Sequence, residues 1–443
     1  MKKARPTLSS EERARAIGAV RGMKQGQSAS QNLPVPSPAF DTLAGFVERE
    51  GVRKLANSLG IGDPTFRQID AHPTPLSQMD GKEVLNFGSY DYLCLNADPR
   101  PARAAKEAID LYGVSASASR LTTGQRPVHI ALEKALAAHY GVEDALTFVS
   151  GHATNVSVIP TLTGKDDLVI YDAYIHNSAS VGATLSSASR RSFPHNDLDA
   201  LEALLAENAG QYRATLVVVE GHYSMDGDIP DLARLIALKA RYGFWLMVDE
   251  AHGLGCIGAT GKGLREVYGV AGTQVDIWMG TLSKTLASTG GYIAGNAALI
   301  DILKYEAPGS VYSVALAPAL AAAAACSLEI LAQEPERVAR LQARGAFFLQ
   351  CAKSHGLDTG TSVGASIIPV ITGSSAVAVA LSMELLERGI NALPIAFPGV
   401  PMDAARLRFF LTCDHSEAQI SHALSETSQI LKRLRSGPLG SLK

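Results

Sequence analysis

The sequence predicts an α/β protein: a large domain built on a mainly parallel sheet, followed by a smaller C-terminal α/β domain. Three observations carry that expectation. From about residue 102 to residue 295, apolar runs of strand length alternate with amphipathic helical stretches, which is the pattern of a parallel sheet with helical crossovers. Each run stops at a cluster of acidic, imidazole or hydroxyl side chains. An Ala-rich helical stretch, Pro318 to Ala332, then leads into a shorter helix-and-strand alternation of its own.

The strands expected in order are ALTFVSG, DLVIYDAY, ATLVVVEG, FWLMVDEA, DIWMGTLS and GGYIAGN. Between them, DLDALEALLAENAGQ and DLARLIALKARYG place leucines at helical spacing. Residues 1–40 end in the Ser/Gln/Pro-rich QGQSASQNLPVPSPAF and lack the period needed to bury a face. The expected division is therefore a mobile polar arm or linker over 1–40, an N-terminal segment over 41–100, a large domain over 101–333 and a small domain over 334–443.

Composition removes several classes. A net charge of -3 with scattered lysines and arginines gives no pull toward nucleic acid. The five cysteines are far apart and never form a C-x-x-C pair, which disfavours a disulfide scaffold or a zinc knuckle, and no metal is expected. No run of about 18 apolar residues occurs. The cytoplasm is the expected compartment.

The strand ends read SGHATN, DAYIHNS, EGHYSMDGD, DEAHG and GTLSK. In open α/β sheets ligands gather outside the carboxyl ends of the strands, so these clusters are expected to share one site. Lys284 is the only charged residue in GTLSKTLASTGGYIAG. Most lysines just beyond a strand are surface groups, but the hydroxyls of Thr281 and Ser283 and the Gly290-Gly291 pair suit a bound phosphate. Burial there would lower the lysine pKa and free its amine for Schiff-base chemistry.

Asp249 follows WLMV directly, so its carboxylate needs a positive partner, and the protonated ring nitrogen of a pyridine cofactor is a fitting one. An Asp that merely caps the next turn is the bland alternative. His252 is positioned to hydrogen-bond a ring oxygen and His176 to lie flat on a ring; taken alone, each is more often structural. Ser150, Gly151 and His152 open a helix after a strand, where free N–H groups attract an anion.

Together these residues resemble the α-oxoamine synthases, pyridoxal-phosphate enzymes of the aspartate-aminotransferase fold, a group that includes 8-amino-7-oxononanoate synthase and serine palmitoyltransferase. The most specific pieces are VDEAHGLGCIGATGKG and GTLSKTLASTGGYIAG, supported by EGHYSMDGD and RLRFFLTCDH. The resemblance implies a type I pyridoxal-phosphate-dependent transferase fold and a homodimer. Its reaction would be the decarboxylative condensation of a small amino acid with an acyl thioester, carried on CoA or an acyl carrier protein. It also implies Lys284 as the Schiff-base lysine and Asp249 and His252 as partners of the ring nitrogen and phenolic oxygen. His176 would stack on the ring with Ser224 nearby. Gly151, His152, Thr281 and Ser283 would hold the phosphate, with Ser313 reaching in from a second subunit, and Arg408 would hold the amino-acid carboxylate.

The chain departs from the family pattern at NFGSYDYLCL, where Tyr90 and Asp91 stand in the substrate segment and Cys94 replaces a usual glycine. It departs again at SASASR, which ends at Arg120, and at His222 inside EGHYS. Tyr90, Asp91, Arg120 and His222 are the expected substrate contacts, His222 with space-filling as its alternative. An aminotransferase or lyase on the same fold remains open on these residues, whereas intact Lys284, Asp249 and His252 argue against a non-catalytic scaffold. GTSVG at 360–364 matches a nucleophile elbow of serine hydrolases, but no buried strand precedes it. GATGKGL has neither the spacing nor the hydroxyl of a P-loop.

Overall fold

The computed structural model describes residues 39–58, 62–71, 75–397, 399–401 and 403–441. The arm expected over residues 1–40 thus lies almost wholly outside the described residues. Strands β1 (Leu76–Met79) and β2 (Lys82–Asn86) form an antiparallel hairpin. Its turn places Asp80 and Gly81 at φ 51° and 71°, the left-handed pair that a two-residue hairpin loop requires.

The large sheet contains β3 (Asp144–Phe148), β4 (Leu168–Asp172), β5 (Ser189–Phe193), β6 (Thr215–Glu220), β7 (Trp245–Asp249), β8 (Ile277–Thr281) and β9 (Gly291–Gly295). Its order is β3-β9-β8-β7-β6-β4-β5. Only β9 runs antiparallel to its neighbours. All six strands expected from the apolar runs are present. The seventh, β5, escapes the pattern because SRRSF is an edge strand with three exposed side chains in its middle.

Both faces of this sheet are buried, and alternate residues feed different cores. Val217, Val219, Leu246 and Val248 join the core on one face. Leu216, Val218 and Met247 join the other. A two-residue side-chain period with both phases apolar is what a helix-covered central strand demands.

Helix 318–333 packs on helices 99–112 and 127–140. Beyond it, β10 (Ile367–Gly373), β12 (Leu393–Ile395) and β13 (Ala405–Phe410) make a small antiparallel sheet, and β11 (Ile390–Asn391) instead pairs with β2. The strand β13 delivers Arg408 toward the strand ends of the large sheet, where its Nη1 donates to the Ser224 carbonyl at 2.7 Å.

Candidate active site

Helix 151–162 begins directly after β3. Ser150 caps it, its Oγ accepting from the Ala153 N–H at 3.0 Å. Gly151 lies so close to β8 and β9 that a Cβ on Gly291 would come within 2.7 Å of the Gly151 Cα, and one on Gly151 within 3.1 Å of the Thr281 side chain. The glycines are needed for that approach. Thr281 Oγ1 donates to the Gly290 carbonyl at 2.9 Å and lies 2.8 Å from Ser283 Oγ. His152 and Ser283 are exposed beside it. The result is a helix N-terminus with a hydroxyl pair against it, the arrangement that holds a phosphate.

Asp249 ends β7 and is 3% exposed. Its Oδ1 accepts the Ala251 N–H at 2.9 Å and its Oδ2 the Asn155 amide at 3.1 Å. Those are neutral donors, so the charge itself has no counter-ion bonded to it. Glu220 sits opposite Asp249 in the β6–β7 register. Burial and the Asp249 charge push its carboxyl up to about 8. Its Oε2 accepts the Ser224 N–H at 2.9 Å, while Oε1 has no partner, and neither has Asn155 Oδ1. Buried polar atoms without partners are rare enough to need a reason. A polar ring and its substituents bound here would supply one.

Lys284 Nζ lies 2.8 Å from His252 Nε2 and 5.6 Å above the Tyr90 ring centroid. Burial lowers its pKa to about 8 against the opposing pull of Asp249 and Glu220. His252 Nδ1 is 2.6 Å from the Tyr92 hydroxyl. Burial and then Lys284 hold His252 well below its ordinary value, so it is neutral. The Tyr92 hydroxyl and the Lys284 amine thus engage the two ring nitrogens of His252, one on each side.

His176 caps helix 177–185, its Nδ1 2.7 Å from Ser178 Oγ, and Ser178 Oγ in turn accepts from Asn155. Asn155 therefore links the carboxylate of Asp249 to the anchor of His176. Arg408 stacks over Phe410 at 4.6 Å. Burial lowers its pKa.

Three expected substrate contacts sit elsewhere in the chemistry of the fold. Asp91 closes its own turn, accepting the N–H groups of Leu95 at 2.9 Å and Asn96 at 3.1 Å, and burial raises it to about 6. Arg120 is committed to a buried ion pair with Glu133, with further bonds to Gln125 and Thr147. His222 is fully buried and its Nδ1 lies 3.2 Å from the His252 carbonyl, so it braces His252 from within. Ser313 bonds the neighbouring Val314 carbonyl at 3.1 Å. Ser362 of GTSVG donates to the Ile367 carbonyl in a loop ahead of β10, which is not an elbow.

Asn155, Tyr92 and Glu220 were not singled out by sequence reasoning. The signal for each was present, in SGHATN, in YDYL and at the strand end facing Asp249. One group of potential metal ligands, Cys94, Cys413 and Asp414, comes together among the described residues. Arg340 lies 3.9 Å from Cys413 Sγ and 3.7 Å from Asp414, a cation set against a cation site.

Fold and site together define a pyridoxal-phosphate-dependent transferase of the type I fold. Residues 82–426 match the family model of aminotransferase class I and II, and the chain belongs to that family. It is 39% identical over 369 residues to 8-amino-7-oxononanoate synthase of Symbiobacterium thermophilum, covering 83% of this chain and 94% of that one. Serine palmitoyltransferase of Sphingomonas wittichii superposes with TM-score 0.85 at 31% identity, over 90% of this chain and 100% of that chain. A serine palmitoyltransferase structure with its pyridoxal-phosphate internal aldimine superposes at 0.84 with 28% identity, over 89% and 99%. The chain is an α-oxoamine synthase, joining a small amino acid to an acyl thioester with loss of carbon dioxide.

Proposed function

We propose that the amino acid is alanine, that the acyl donor is the thioester of a seven-carbon dicarboxylic acid, and that the enzyme works as a homodimer in the cytoplasm. The observation that carries the catalytic reading is Lys284, a buried amine 2.8 Å from a neutral His252 and close to two carboxyl groups. The substrate reading rests on the product for which the Symbiobacterium relative is named. In 8-amino-7-oxononanoate the carbon bearing nitrogen also bears a methyl group, as alanine does once its carboxylate has left. The remaining carbons are those of the diacid.

When bound, pyridoxal phosphate supplies an electron sink for negative charge at the amino-acid α-carbon. Asp249 would hold the ring nitrogen's proton, and Asn155 keeps that carboxylate aimed. His252, fixed by Tyr92, would meet the phenolic oxygen. Ser150, Gly151, His152, Thr281 and Ser283 would cradle the phosphate, with Ser224 and His176 bordering the ring. Arg408 would hold the substrate carboxylate and Tyr90 would border the amino-acid side.

The α-proton passes to Lys284, whose depressed pKa leaves a fraction of free amine near neutral pH. The α-carbon then bonds to the thioester carbonyl carbon as the C–S bond breaks and the thiol leaves. Cleavage of the carboxylate releases carbon dioxide, and a proton returned by Lys284 completes the product.

The dimer reading is supported by Val114, Leu121, Tyr312 and Val314, which are 75%, 49%, 87% and 47% exposed. They belong to two segments joined by the Ala315 N–H bond to the Ala118 carbonyl at 3.0 Å. A second copy covering them would bring Ser313 to the phosphate site. The test offers alanine, glycine and serine, each with the diacid thioester on CoA and on carrier protein, and measures thiol and carbon dioxide. Equal release of both with alanine supports the proposal. Preference for serine and a long acyl chain would overturn the substrate assignment, and 2-oxo acid without thiol would indicate transamination.

A further inference from the structure

A half-buried histidine outside the cofactor constellation joins its two most important turns. His195 lies in the turn between β5 and helix 198–207. Its Nδ1 is 2.9 Å from Asp172 Oδ1, and its Nε2 is 3.0 Å from Asp228 Oδ2. Carboxylates only accept hydrogen bonds. A ring with a carboxylate at each nitrogen must carry a proton on both to satisfy them, and is then an imidazolium. Burial opposes that charge, but the bonds to Asp172 and Asp228 outweigh it and lift the pKa to about 10.

The residues around it agree. Asn196, held at φ 53°, donates its N–H to Asp172 Oδ2 at 2.8 Å and its amide to Asp228 Oδ2 at 2.7 Å. Tyr174 stacks on the His195 ring at 4.5 Å, and the Tyr223 ring meets its edge at the same distance. The other charged or titratable groups facing this cluster are Asp226 with the Arg406 guanidinium paired to it, Glu220 toward Asp172, and His222 toward Asp228.

Asp172 also accepts the Tyr174 N–H at 2.7 Å, in the turn that ends at His176. Asp228 belongs to the turn that carries Ser224, whose carbonyl anchors Arg408; within that turn the Asp228 carbonyl accepts the Tyr223 N–H at 2.9 Å. We propose that His195 is a positioning residue of this site, a standing imidazolium that ties the turn carrying His176 to the turn carrying Ser224 and the Arg408 anchor. The functional part rests on the roles proposed above for His176 and Arg408; the charge assignment does not.

Two measurements on the holoenzyme test it. Histidine-selective 15N NMR, with the His195 signal assigned by its loss in His195→Asn, is expected to show both ring nitrogens protonated at pH 8. In Asp228→Asn, which keeps a hydrogen-bond acceptor and removes one charge, that signal is expected to titrate at lower pH. The spectral dissociation constant for alanine, read from the cofactor band without any thioester, is expected to rise about tenfold in both variants. A singly protonated His195 ring at pH 8 in the wild type would overturn the charge assignment; if His195→Asn fails to fold, the signal is assigned instead by its selective shift in Asp228→Asn. Alanine binding within twofold of wild type in Asp228→Asn would overturn the positioning role. Failure of the wild type to bind any small amino acid would instead count against the proposed function.

Discussion

The carboxyl ends of the large sheet and the two loops at 88–96 and 115–126 are equally rich in polar side chains, yet the two regions use them differently. At the strand ends, Glu220 Oε1 and Asn155 Oδ1 are buried without partners, and Asp249 meets only neutral donors. In the loops, Asp91 is bonded to its own turn and Arg120 commits both terminal nitrogens to Glu133 and its neighbours, leaving only its Nε without a partner. A ligand site keeps hydrogen-bonding and electrostatic capacity in reserve, whereas a structural polar cluster consumes it. Residue type alone does not separate the two.

The sharpest way to break this contrast is at the lysine. Lys284→Ala is expected to lower turnover about 10⁴-fold or more, with the melting temperature of the cofactor-free protein retained. Asp249→Asn keeps the shape and removes the charge, and a loss of about 10²- to 10³-fold in kcat is expected. Steady-state assays check both. If Arg120→Met were to match either in kcat while folding normally, the contrast between the regions would fail.

Arg120→Met is instead expected to act on stability. Both side chains of the Arg120–Glu133 pair are below 10% exposed, and removing one partner of such a pair costs about 3–5 kcal/mol. Denaturant unfolding should show that loss, with the alanine dissociation constant unchanged in the folded fraction.

A pH experiment sharpens the lysine further. The folded pKa of Lys284 lies near 8, below its unfolded value. The unfolded chain therefore binds the extra proton between those values, so this group's contribution to stability rises with pH through that window. In the cofactor-free protein, Lys284→Met is expected to be more stable than wild type at pH 7 by about 3 kcal/mol, and the difference should vanish above pH 10. The smallest effect expected is for Tyr92→Phe, about three- to tenfold in kcat, because His252 keeps its place but loses one of the two bonds that hold its ring.

The convergence of Asp249 and Lys284 was legible because β7 is a short apolar strand ending at Asp249 and β8 one ending three residues before Lys284, and an ionisable group has few other reasons to follow WLMV. The close approach of Gly151, Thr281 and Gly291 was legible for a similar reason, since these residues must be small or hydroxylic where the start of helix 151–162 meets β8 and β9. The structural partners of Arg120 and Asp91, which are Glu133 and the Leu95 and Asn96 amides, were not legible because they are set by how the turns close. Glu220 was overlooked because its neighbour Asp249 lies on an adjacent strand whose pairing no local pattern reveals. The edge strand β5 was hidden by its two arginines, and with it the turn holding His195.

The most direct measurement of the central claim is borohydride reduction of the holoenzyme followed by peptide mapping. The account predicts one pyridoxyl-phosphate adduct, on the peptide carrying Lys284, with the visible cofactor band bleached. An adduct on a different lysine, or a cofactor that washes out after reduction, would contradict it.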